Sequence, residues 1–497
     1  MGIIVRQSIF NSIITYIGIG LGFILTVLLY PHILDPEQYG LTRVLISASL
    51  IFSQFAHLGF QNLVLRYYPF FKEASEKNHG FLFWVITVPL VGFALFSILF
   101  FLFDDILVKF YSDRSPLFVS YYLWILPLTL FILYFEVLNN YLRSLRDSTT
   151  GSFVNEVSQR LFAILFLGLY FFEWITFPQF VLLFVVSYAS QPLLILVQIF
   201  RKGEFQIRPN FEILRKPLVR GMANYSLYSL LGGLTTVLVW NVDILMLGSM
   251  AGLESTAIYA IAFYIGSVIA VPQRSIEKIA GPLISDFIKK KDWKGVGEIY
   301  VKTSLNQLLL GLLIFGLIWS AIDELFMLLP EVYSAGKWVV FIIAIGKLIE
   351  VGSGANSVIL LNSKHYRVSF YTNIILVLIT VAANYILIPM YGIEGAAIAS
   401  ALALFVYNCV KYLYIRFKIG LGLFKLNTLI VLVLGVAALY ISSDLQPFSN
   451  FWIDTPLRMI LFLTLFLFPA LYFKLSPDLN KLISNLFKVK QDESTSG

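Results

Sequence analysis

Long apolar stretches recur fourteen times along the chain, and short polar segments separate them. A transmembrane helix needs about 20 apolar residues to cross a hydrocarbon core of about 30 Å, and each stretch reaches roughly that length. The spans should be helical because lipid offers no partners to the backbone groups of an open sheet. We place them at residues 9–33, 41–64, 81–103, 117–142, 152–173, 177–200, 222–248, 254–273, 303–322, 338–361, 368–388, 393–415, 426–442 and 457–473. The pattern predicts an all-α integral membrane protein with 14 transmembrane helices.

Composition points to the same class of protein. Hydrophobic residues make up 58% of the chain and charged residues 13%, whereas soluble proteins carry about 25% charged residues. Every predicted outer loop is short, so we expect no extracytoplasmic domain that could hold an active site. The single cysteine, Cys409, excludes an intramolecular disulfide.

The basic residues alternate between the two sides of the predicted membrane. Of the 36 Lys and Arg residues, 29 fall on the amino terminus, the even-numbered loops and the tail. The other seven, five in odd-numbered loops and two inside spans, are Arg43, Lys109, Arg114, Lys337 and Arg458, then Arg160 and Lys347. This positive-inside pattern predicts that both termini lie in the cytoplasm. It also accounts for the net charge of +7 without a nucleic-acid partner.

Two segments of the chain repeat at the same offset of 217 residues. Gly151-Ser152-Phe153 matches Val368-Ser369-Phe370, and residues 200–203 match residues 417–420. The repeat predicts two parallel, pseudo-symmetric six-helix lobes with a cleft between them, and chance similarity among apolar segments is the alternative. The predicted domains are an N-lobe at 1–200 (spans one to six), a cytoplasmic basic linker at 201–221, a C-lobe at 222–418 (spans seven to twelve), two extra C-terminal spans at 419–474 and a polar cytoplasmic tail at 475–497.

Several spans carry polar residues at helical spacing, which is costly in lipid unless they face protein or a water-filled cavity. Lys347 lies about ten residues from the outer end of its span, close to the bilayer midplane. We expect these residues to line one hydrophilic cavity between the halves, where basic groups suit an anionic or sugar-bearing substrate. The candidates for substrate binding are Lys347, Arg160, Arg143, Asn140, Gln54 and Asn11.

Acidic residues within the spans are candidates to bind the ion that drives transport, a proton or a sodium ion. These candidates are Asp243, Glu136 and Glu350. The alternative is that Lys347–Glu350 and Glu156–Arg160 neutralise each other at i,i+3 and i,i+4 spacing and only hold helices together. We favour packing for Glu156–Arg160 near the cytoplasmic surface and binding for Lys347, because of its depth. Asp243 lies about five residues from its helix end, so its carboxylate could instead reach water.

The sequence lacks the residue clusters that an enzyme or an ATP-driven pump needs. The four histidines form no cluster, and no Gly-rich phosphate-binding loop or metal-ligand cluster is present. We therefore predict a transporter and not an enzyme, with no catalytic residue, metal or cofactor apart from H⁺ or Na⁺ coupling.

Three segments carry a resemblance to a known family. They are Leu28-Leu29-Tyr30-Pro31 through Asp35-Pro36-Glu37-Gln38-Tyr39-Gly40, Asn241-Val242-Asp243-Ile244-Leu245-Met246-Leu247-Gly248 followed by Ile258-Tyr259-Ala260, and Ile388-Pro389-Met390-Tyr391-Gly392-Ile393-Glu394-Gly395-Ala396-Ala397. With them the chain resembles the bacterial polysaccharide (Wzx-type) flippases of the multidrug, oligosaccharidyl-lipid and polysaccharide exporter superfamily. The resemblance covers essentially residues 1–418.

The resemblance implies a flippase of the bacterial cytoplasmic (inner) membrane. Such a protein moves a polyprenyl-diphosphate-linked oligosaccharide, for example an O-antigen repeat unit of lipopolysaccharide, from the inner to the outer leaflet by alternating access. It implies ion antiport, an acid at Asp243, and a monomer that works beside a polysaccharide polymerase or glycosyltransferase of the cell envelope. Lipid-linked oligosaccharide and membrane lipid would be its direct partners.

Two alternatives stay open at this point. A cation-coupled multidrug antiporter could have the same fold. Its substrate cavity would need acidic and aromatic residues, and Lys347 argues against such a cavity. A membrane glycan polymerase or ligase would need a catalytic outer loop or a suitably placed His/Asp pair, and His32 with Asp35 is the nearest candidate.

Overall fold

The regular elements in the described part of the chain are all helices, which confirms the predicted all-α class. The computed structural model describes residues 3–72, 80–209, 211, 215–423, 425–444 and 451–481. By packing, the chain divides into two compact units, residues 1–260 and 261–497, and the boundary falls inside the helix Leu253–Ser267.

The first unit contains both long helices and short helical segments. They are α1 (Ile3–Phe23), α2 (Tyr30–Ile33), α3 (Pro36–Ala56), α4 (Phe60–Lys72), α5 (Phe81–Ser112), α6 (Pro116–Tyr121), α7 (Ile125–Ser144), α8 (Thr149–Phe153), α9 (Gln159–Phe171), α10 (Phe177–Arg201), α11 (Lys216–Met250) and the boundary helix α12 (Leu253–Ser267). A π-helical segment, Ile24–Leu29, joins α1 to α2, and a second, Val154–Ser158, joins α8 to α9.

The second unit is built in the same way. Its helices are α13 (Val271–Lys289), α14 (Trp293–Ser320), α15 (Ile322–Met327), α16 (Lys337–Gly352), α17 (Asn356–Asn362), α18 (Tyr366–Tyr414), α19 (Leu426–Asp444) and α20 (Phe451–Tyr472). A core of Leu308, Leu312, Phe462 and Phe466 packs α14 against α20, and α19 covers the same core. The two C-terminal helices are therefore part of this unit and not an appendage.

Capping boxes fix the starts of α3 and α10. The backbone N–H of Asp35 donates to Gln38 Oε1 at 3.3 Å, and that of Thr176 donates to Gln179 Oε1 at 2.8 Å. In each case the cap side chain accepts a backbone N–H of the first turn in return. These reciprocal bonds satisfy backbone donors that the helix itself leaves open.

Within the described residues, eleven helices are long and apolar enough to cross a membrane, or twelve if the bent pair Pro36–Ala56 and Phe60–Lys72 counts as one span. Large apolar side chains such as Leu102, Phe110 and Phe200 are about two-thirds exposed or more, as expected where lipid surrounds the protein. The chain is thus a multi-pass membrane protein. That all fourteen predicted spans cross the membrane, with both termini in the cytoplasm, stays a prediction.

Two features explain why the numbers of spans differ. The stretch Tyr366–Ile419 forms 54 continuous residues, which at 1.5 Å per residue far exceeds a hydrocarbon core of about 30 Å. Gly392 interrupts it with φ 57° and ψ −128°, so the predicted spans 368–388 and 393–415 lie on either side of a turn. The predicted span 152–173 corresponds to α8, its π-helical extension and α9, which are not among the eleven.

The division by packing differs from the predicted lobes. Helix α11 packs on α3 and α4 and belongs to the first unit, whereas the sequence repeat assigns it to the C-lobe. The repeat concerns sequence similarity and the division concerns contacts, so the predicted lobes stay a prediction.

Arg43 is not in an outer loop, contrary to the assignment from the charge pattern. It lies inside α3, and its guanidinium sits 4.8 Å from the ring centre of Tyr39 and 5.3 Å from that of Tyr30. The predicted span 41–64 already contains this position, and α3 begins five residues earlier still, because Pro36 to Gly40 form its capped first turn and a half. These cation–π contacts offset part of the free energy that Arg43 loses when its guanidinium is partly removed from water.

Candidate functional site

The second predicted span bends by 43° between α3 and α4, and the bend is built from unusual backbone. Leu58 has φ 52° and Gly59 has φ 75°, a region that favours glycine. A Cβ at Gly59 would collide with the carbonyl of Ser226 in α11. Glycine is therefore required at this bend both for its conformation and for the close approach of α11.

A chain of hydrogen bonds runs from this bend to a carboxylate on α7. The backbone N–H of Gly59 donates to His57 Nδ1 at 2.9 Å, so the ring proton of a neutral His57 is on Nε2. Nε2 lies 3.2 Å from Gln54 Oε1, and Gln54 Nε2 lies 3.2 Å from Glu136 Oε2. Two candidates that the sequence assigned to different roles, Gln54 and Glu136, are thus direct neighbours.

Sequence reasoning missed His57 in this group. Its side chain is only 1% exposed, and its Nε2 lies 4.0 Å from Glu136 Oε2. The signal was present, because His57 follows Gln54 at i+3 and so continues the polar stripe of that helix.

Two further candidates lie one and two turns along α7 from Glu136. Asn140 is buried, and its Nδ2 donates to the carbonyl of Gln61 in α4 at 3.0 Å. Arg143 is exposed and donates from Nη1 to Asn140 Oδ1 at 3.0 Å. Glu136, Asn140 and Arg143 therefore form one face of α7 against the bent span, as the helical spacing predicts.

Asn11 and Arg160 take part in separate contacts between α1 and the helices after α7. Arg160 pairs with Glu156 Oε2 at 2.9 Å and also donates to the carbonyl of Gly18. Asn11 Nδ2 donates to Ser148 Oγ at 3.0 Å. These contacts support the packing interpretation of Glu156–Arg160, and substrate binding by Arg160 and Asn11 stays a prediction.

Asp243 is buried rather than extended to the surface. Its side chain is 3% exposed, and Tyr259 donates its hydroxyl to Asp243 Oδ2 at 2.7 Å. The bond joins two of the segments that carry the family resemblance, one in α11 and one in α12. Tyr259 thus gives a physical reason for the acid at Asp243.

In the second unit, the predicted span 338–361 is not one helix. Helix α16 ends at Gly352, and α17 begins at Asn356 after a turn in which Gly354 has φ 58°. Lys347 and Glu350 lie on the last two turns of α16, and their Nζ and Oε2 atoms are 2.8 Å apart. The polar positions of this span, from Gly346 to Ser357, therefore do not share one continuous helix face, because the break falls between Glu350 and Ser357.

Hydroxyl groups of α14 satisfy the backbone that the break exposes. Ser304 donates to the carbonyl of Gly352 at 2.5 Å, and Thr303 Oγ1 accepts the N–H of Ala355 at 3.2 Å. A break at membrane depth is tolerated only when such partners replace water. Thr303 and Ser304 were not among the predicted site residues.

Lys411 is a buried lysine beside this break, and its side chain is 0% exposed. Its ammonium donates to Ser357 Oγ at 2.9 Å and to the hydroxyl of Tyr407, and it lies 3.8 Å from the centre of the Tyr407 ring. Ser357 in turn lies 3.1 Å from Asn356 Oδ1, and Tyr407 donates to Asn373 Oδ1 at 2.8 Å. The lysine is thus held by a polar network that joins α17 to both halves of α18.

Sequence reasoning also missed Lys411: the count of basic residues groups it with the loop after span twelve, although it lies inside the predicted span 393–415. The i,i+4 spacing of Tyr407 and Lys411 inside an apolar span was the available signal. Glu350 and Glu277 are the carboxylates whose charges act on Lys411. Glu277 itself accepts from Gln273 Nε2 at 2.8 Å. Four ionisable groups from α13, α16 and α18 thus form one cluster.

Asp147 connects the ends of three helices outside the predicted spans. Burial alone would raise the pKa of Asp147, but hydrogen bonds from Gln198, Thr150 and Lys202 outweigh it and hold the pKa below 3.8. Gln198 Nε2 lies 3.1 Å and Lys202 Nζ 3.2 Å from Asp147 Oδ2. The carboxylate thereby joins the ends of α7, α8 and α10.

The described part of the chain has no group of three His, Cys, Asp or Glu residues that could hold a metal ion.

Comparison of the sequence with protein families gives two matches. The profile of a polysaccharide biosynthesis protein family matches residues 4–288. The MatE profile matches residues 229–386. The sequence has no match among curated proteins.

Solved structures of two kinds of transporter share the fold. The chain is similar to lipid II flippase MurJ in its inward closed conformation, with a TM-score of 0.71, 15% identity and coverage of 94% of this chain and 99% of that chain. An inward-facing multidrug resistance MATE family transporter of the MOP superfamily has a TM-score of 0.64, 15% identity and coverage of 84% and 98%. A MATE structure in complex with MaL6 has a TM-score of 0.55, 12% identity and coverage of 84% and 96%.

These matches confirm the resemblance and the fold class that the sequence predicts. Both kinds of solved structure are transporters, and their likeness to this chain shows a shared fold. Since the first profile extends over more than half of the residues, the chain belongs to the polysaccharide biosynthesis protein family.

Proposed function

We propose that this protein flips a polyprenyl-diphosphate-linked oligosaccharide from the inner to the outer leaflet of the bacterial cytoplasmic membrane by alternating access. The observation that carries the proposal is family membership in polysaccharide biosynthesis, in a chain with the fold of a lipid II flippase. Sugars are activated in the cytoplasm and polysaccharides lie outside, so a membrane-embedded member of such a family suits the transfer of the lipid-linked intermediate.

The buried charges support an anionic substrate. Lys347 is 3% exposed in a predicted span, and an intramembrane ionisable residue is by default a functional candidate. A diphosphate would be an apt ligand for such a cation, and amide side chains such as Gln54 and Asn140 suit sugar hydroxyls. We assign the remaining substrate contacts to Arg143, Arg160 and Asn11 as working candidates.

Ion coupling is the second part of the proposal. Asp243, Glu136 and Glu350 are each held by a neutral or cationic donor, namely Tyr259, Gln54 and Lys347. Ionisable groups inside membrane spans often carry the coupling ion, and a carboxylate can bind either a proton or a sodium ion. We propose a monomer that works beside a polysaccharide polymerase or glycosyltransferase.

A cation-coupled multidrug antiporter is the second candidate. The MatE profile over residues 229–386 and the MATE structures favour it. The two buried lysines of the second unit, Lys347 and Lys411, argue against it because they would repel a cationic drug. A glycan polymerase or ligase remains the least favoured alternative.

The test is a strain that lacks this protein. Lipid-linked glycans are extracted and their orientation is assayed, together with polysaccharide at the cell surface and uptake of a cationic dye. We expect a completed repeat unit to accumulate on the cytoplasmic side while surface polysaccharide disappears, with recovery on complementation. Normal surface polysaccharide with dye accumulation in the cells would support the drug antiporter and overturn the proposal.

A further inference from the structure

The ammonium group of Lys411 has more donors than partners. An ammonium carries three N–H donors, and the described residues offer it two acceptors, Ser357 Oγ and Tyr407 Oη. Both hydroxyls direct their own protons elsewhere, to Asn356 and Asn373. Among the residues that the structure describes, Lys411 forms no ion pair within 4.0 Å. One N–H of a fully buried cation is therefore available for another oxygen.

Glu350 interacts with two buried lysines, by an ion pair with Lys347 and by its charge alone with Lys411. It pairs with Lys347 one turn earlier on α16, at 2.8 Å, and it is the last charged residue before the helix break. The first turn after the break contains Ser357, which holds Lys411. Glu350 and Lys411 thus approach the break from its two sides, and the positive φ of Gly354 marks where the backbone can adjust.

Charge balance in the membrane limits what Lys347 can do. In their ordinary charged forms Lys347 and Lys411 would contribute two positive charges, and Glu350 and Glu277 two negative charges, so the cluster would be neutral. If Lys347 left Glu350 to bind an anion, Glu350 would become a carboxylate without a cation, which is costly at membrane depth. A second cation within reach of Glu350 would remove that penalty.

We propose that Glu350 exchanges partners: Lys347 releases it to bind a phosphate-bearing lipid, and Lys411 takes it across the break through its unused N–H. The exchange transfers no proton and breaks no covalent bond, and it adds only the charge of the bound anion. It rests on the proposed function for the class of substrate. It makes Lys411 a positioning residue, because Lys411 acts on the substrate through Glu350 and Lys347.

The experiment measures binding of a polyprenyl diphosphate to the purified full-length protein in detergent, with the uncharged polyprenol as the comparison ligand. We expect binding of the diphosphate alone. In Lys411→Met, Lys347 stays locked to Glu350, and we expect the affinity to fall about tenfold or more, in line with the loss of one partner of a buried charge pair. Lys418→Met is the matched control, because Lys418 is an exposed cation just beyond α18.

The decisive variant is the double substitution Lys411→Met with Glu350→Gln. It removes the lock on Lys347, so we expect the affinity to recover to within about threefold of the unmodified protein. A purely structural role of Lys411 predicts no such recovery. A double variant that binds as weakly as Lys411→Met would overturn the proposal, as would a Lys411→Met protein with unchanged affinity.

Glu350→Gln alone keeps the test valid if Lys411→Met does not fold. With Lys411 intact, we expect this variant to bind the diphosphate at least as tightly as the unmodified protein. A folded Glu350→Gln protein with about tenfold weaker binding would contradict the exchange. Binding in detergent tests the partner exchange, and glycan export in cells tests the proposed function. Each proposal can therefore be overturned while the other stands.

Discussion

Lys347 and Lys411 differ in how visible they are from sequence, although both are buried lysines of the second unit. Lys347 lies in the middle of an apolar run, so its position alone marks it as a candidate. Lys411 lies near the end of a predicted span, where lysines usually reach the membrane surface. Only the packing of α17 against α18 shows that its ammonium is enclosed. Burial of a charge near a span end depends on residues far away in sequence, which periodicity cannot supply.

We expect Lys347→Ala to reduce glycan export by about tenfold or more while the protein still inserts into the membrane. The charge of Lys411 also acts on Glu350, so we expect the carboxylate to keep a cation in that variant. Export is measured as surface polysaccharide in a strain that depends on the variant. Lys337→Ala is the control, because Lys337 begins the same helix and pairs with Asp323 instead. Normal export by a well-expressed Lys347→Ala protein would remove Lys347 from the site.

The lowered pKa of Asp147 predicts a stability that depends on pH. A group whose pKa is lower in the folded state stabilises that state above the unfolded value of 3.8, and the contribution is lost as the pH falls through the folded value. We expect Asp147→Asn to lower the melting temperature of the purified protein at pH 7. The difference from the unmodified protein should shrink as the pH falls towards 4 and below. A difference that does not change with pH would mean that Asp147 acts through packing and not through its charge.

At the scale of elements, hydrophobic periodicity predicts where the spans lie but not where they break. The second span bends at residues 57–59 and the tenth at 353–355, and both stretches read as continuous apolar helix. Each break is compensated by another element, namely α11 beside Gly59 and α14 beside Gly354. A sequence pattern within one span contains no information about such partners, apart from the glycine itself.

Gly354→Ala should destabilise the protein more than Gly420→Ala does. Both glycines have positive φ, which costs an alanine about 1–2 kcal/mol. At Gly354 the added Cβ would also lie 2.9 Å from the backbone nitrogen of Ser304, whereas nothing lies within 4 Å of a Cβ at Gly420. Thermal unfolding in detergent measures the difference. Equal effects would show that α14 can move away without cost.

At the scale of the whole molecule, the sequence predicts the class of fold because lipid imposes a simple rule. Spans must be apolar, helical and about 20 residues long, so length and hydropathy are enough to recognise them. The neighbourhoods of the candidates were harder to predict. Gln54 and Glu136 are 82 residues apart in sequence and share a hydrogen bond, whereas Arg160 contacts the backbone of α1. The number of spans could not be determined from the sequence, since two helices can follow one another through a turn such as that at Gly392.

The charge bias predicts the orientation of the chain. A fluorescent protein that folds only in the cytoplasm, fused after residue 497, should be bright, and an alkaline phosphatase fused at the same point should be inactive. Fusions after Arg114, in a predicted outer loop, should give the reverse result. A bright fusion at both positions would refute the alternation of sides on which the fourteen-span prediction depends.

The hydroxyl groups of Thr303 and Ser304 have a consequence for motion. In most proteins a broken helix needs solvent at the break, so its flexibility depends on whether water can reach it. Here a neighbouring helix supplies both the donor and the acceptor, at 2.5 Å from Gly352 O and 3.2 Å from Ala355 N. We therefore expect this break to be able to bend without access to water. The two hydroxyls of α14 would then be as much a part of the hinge as Gly354 at its centre.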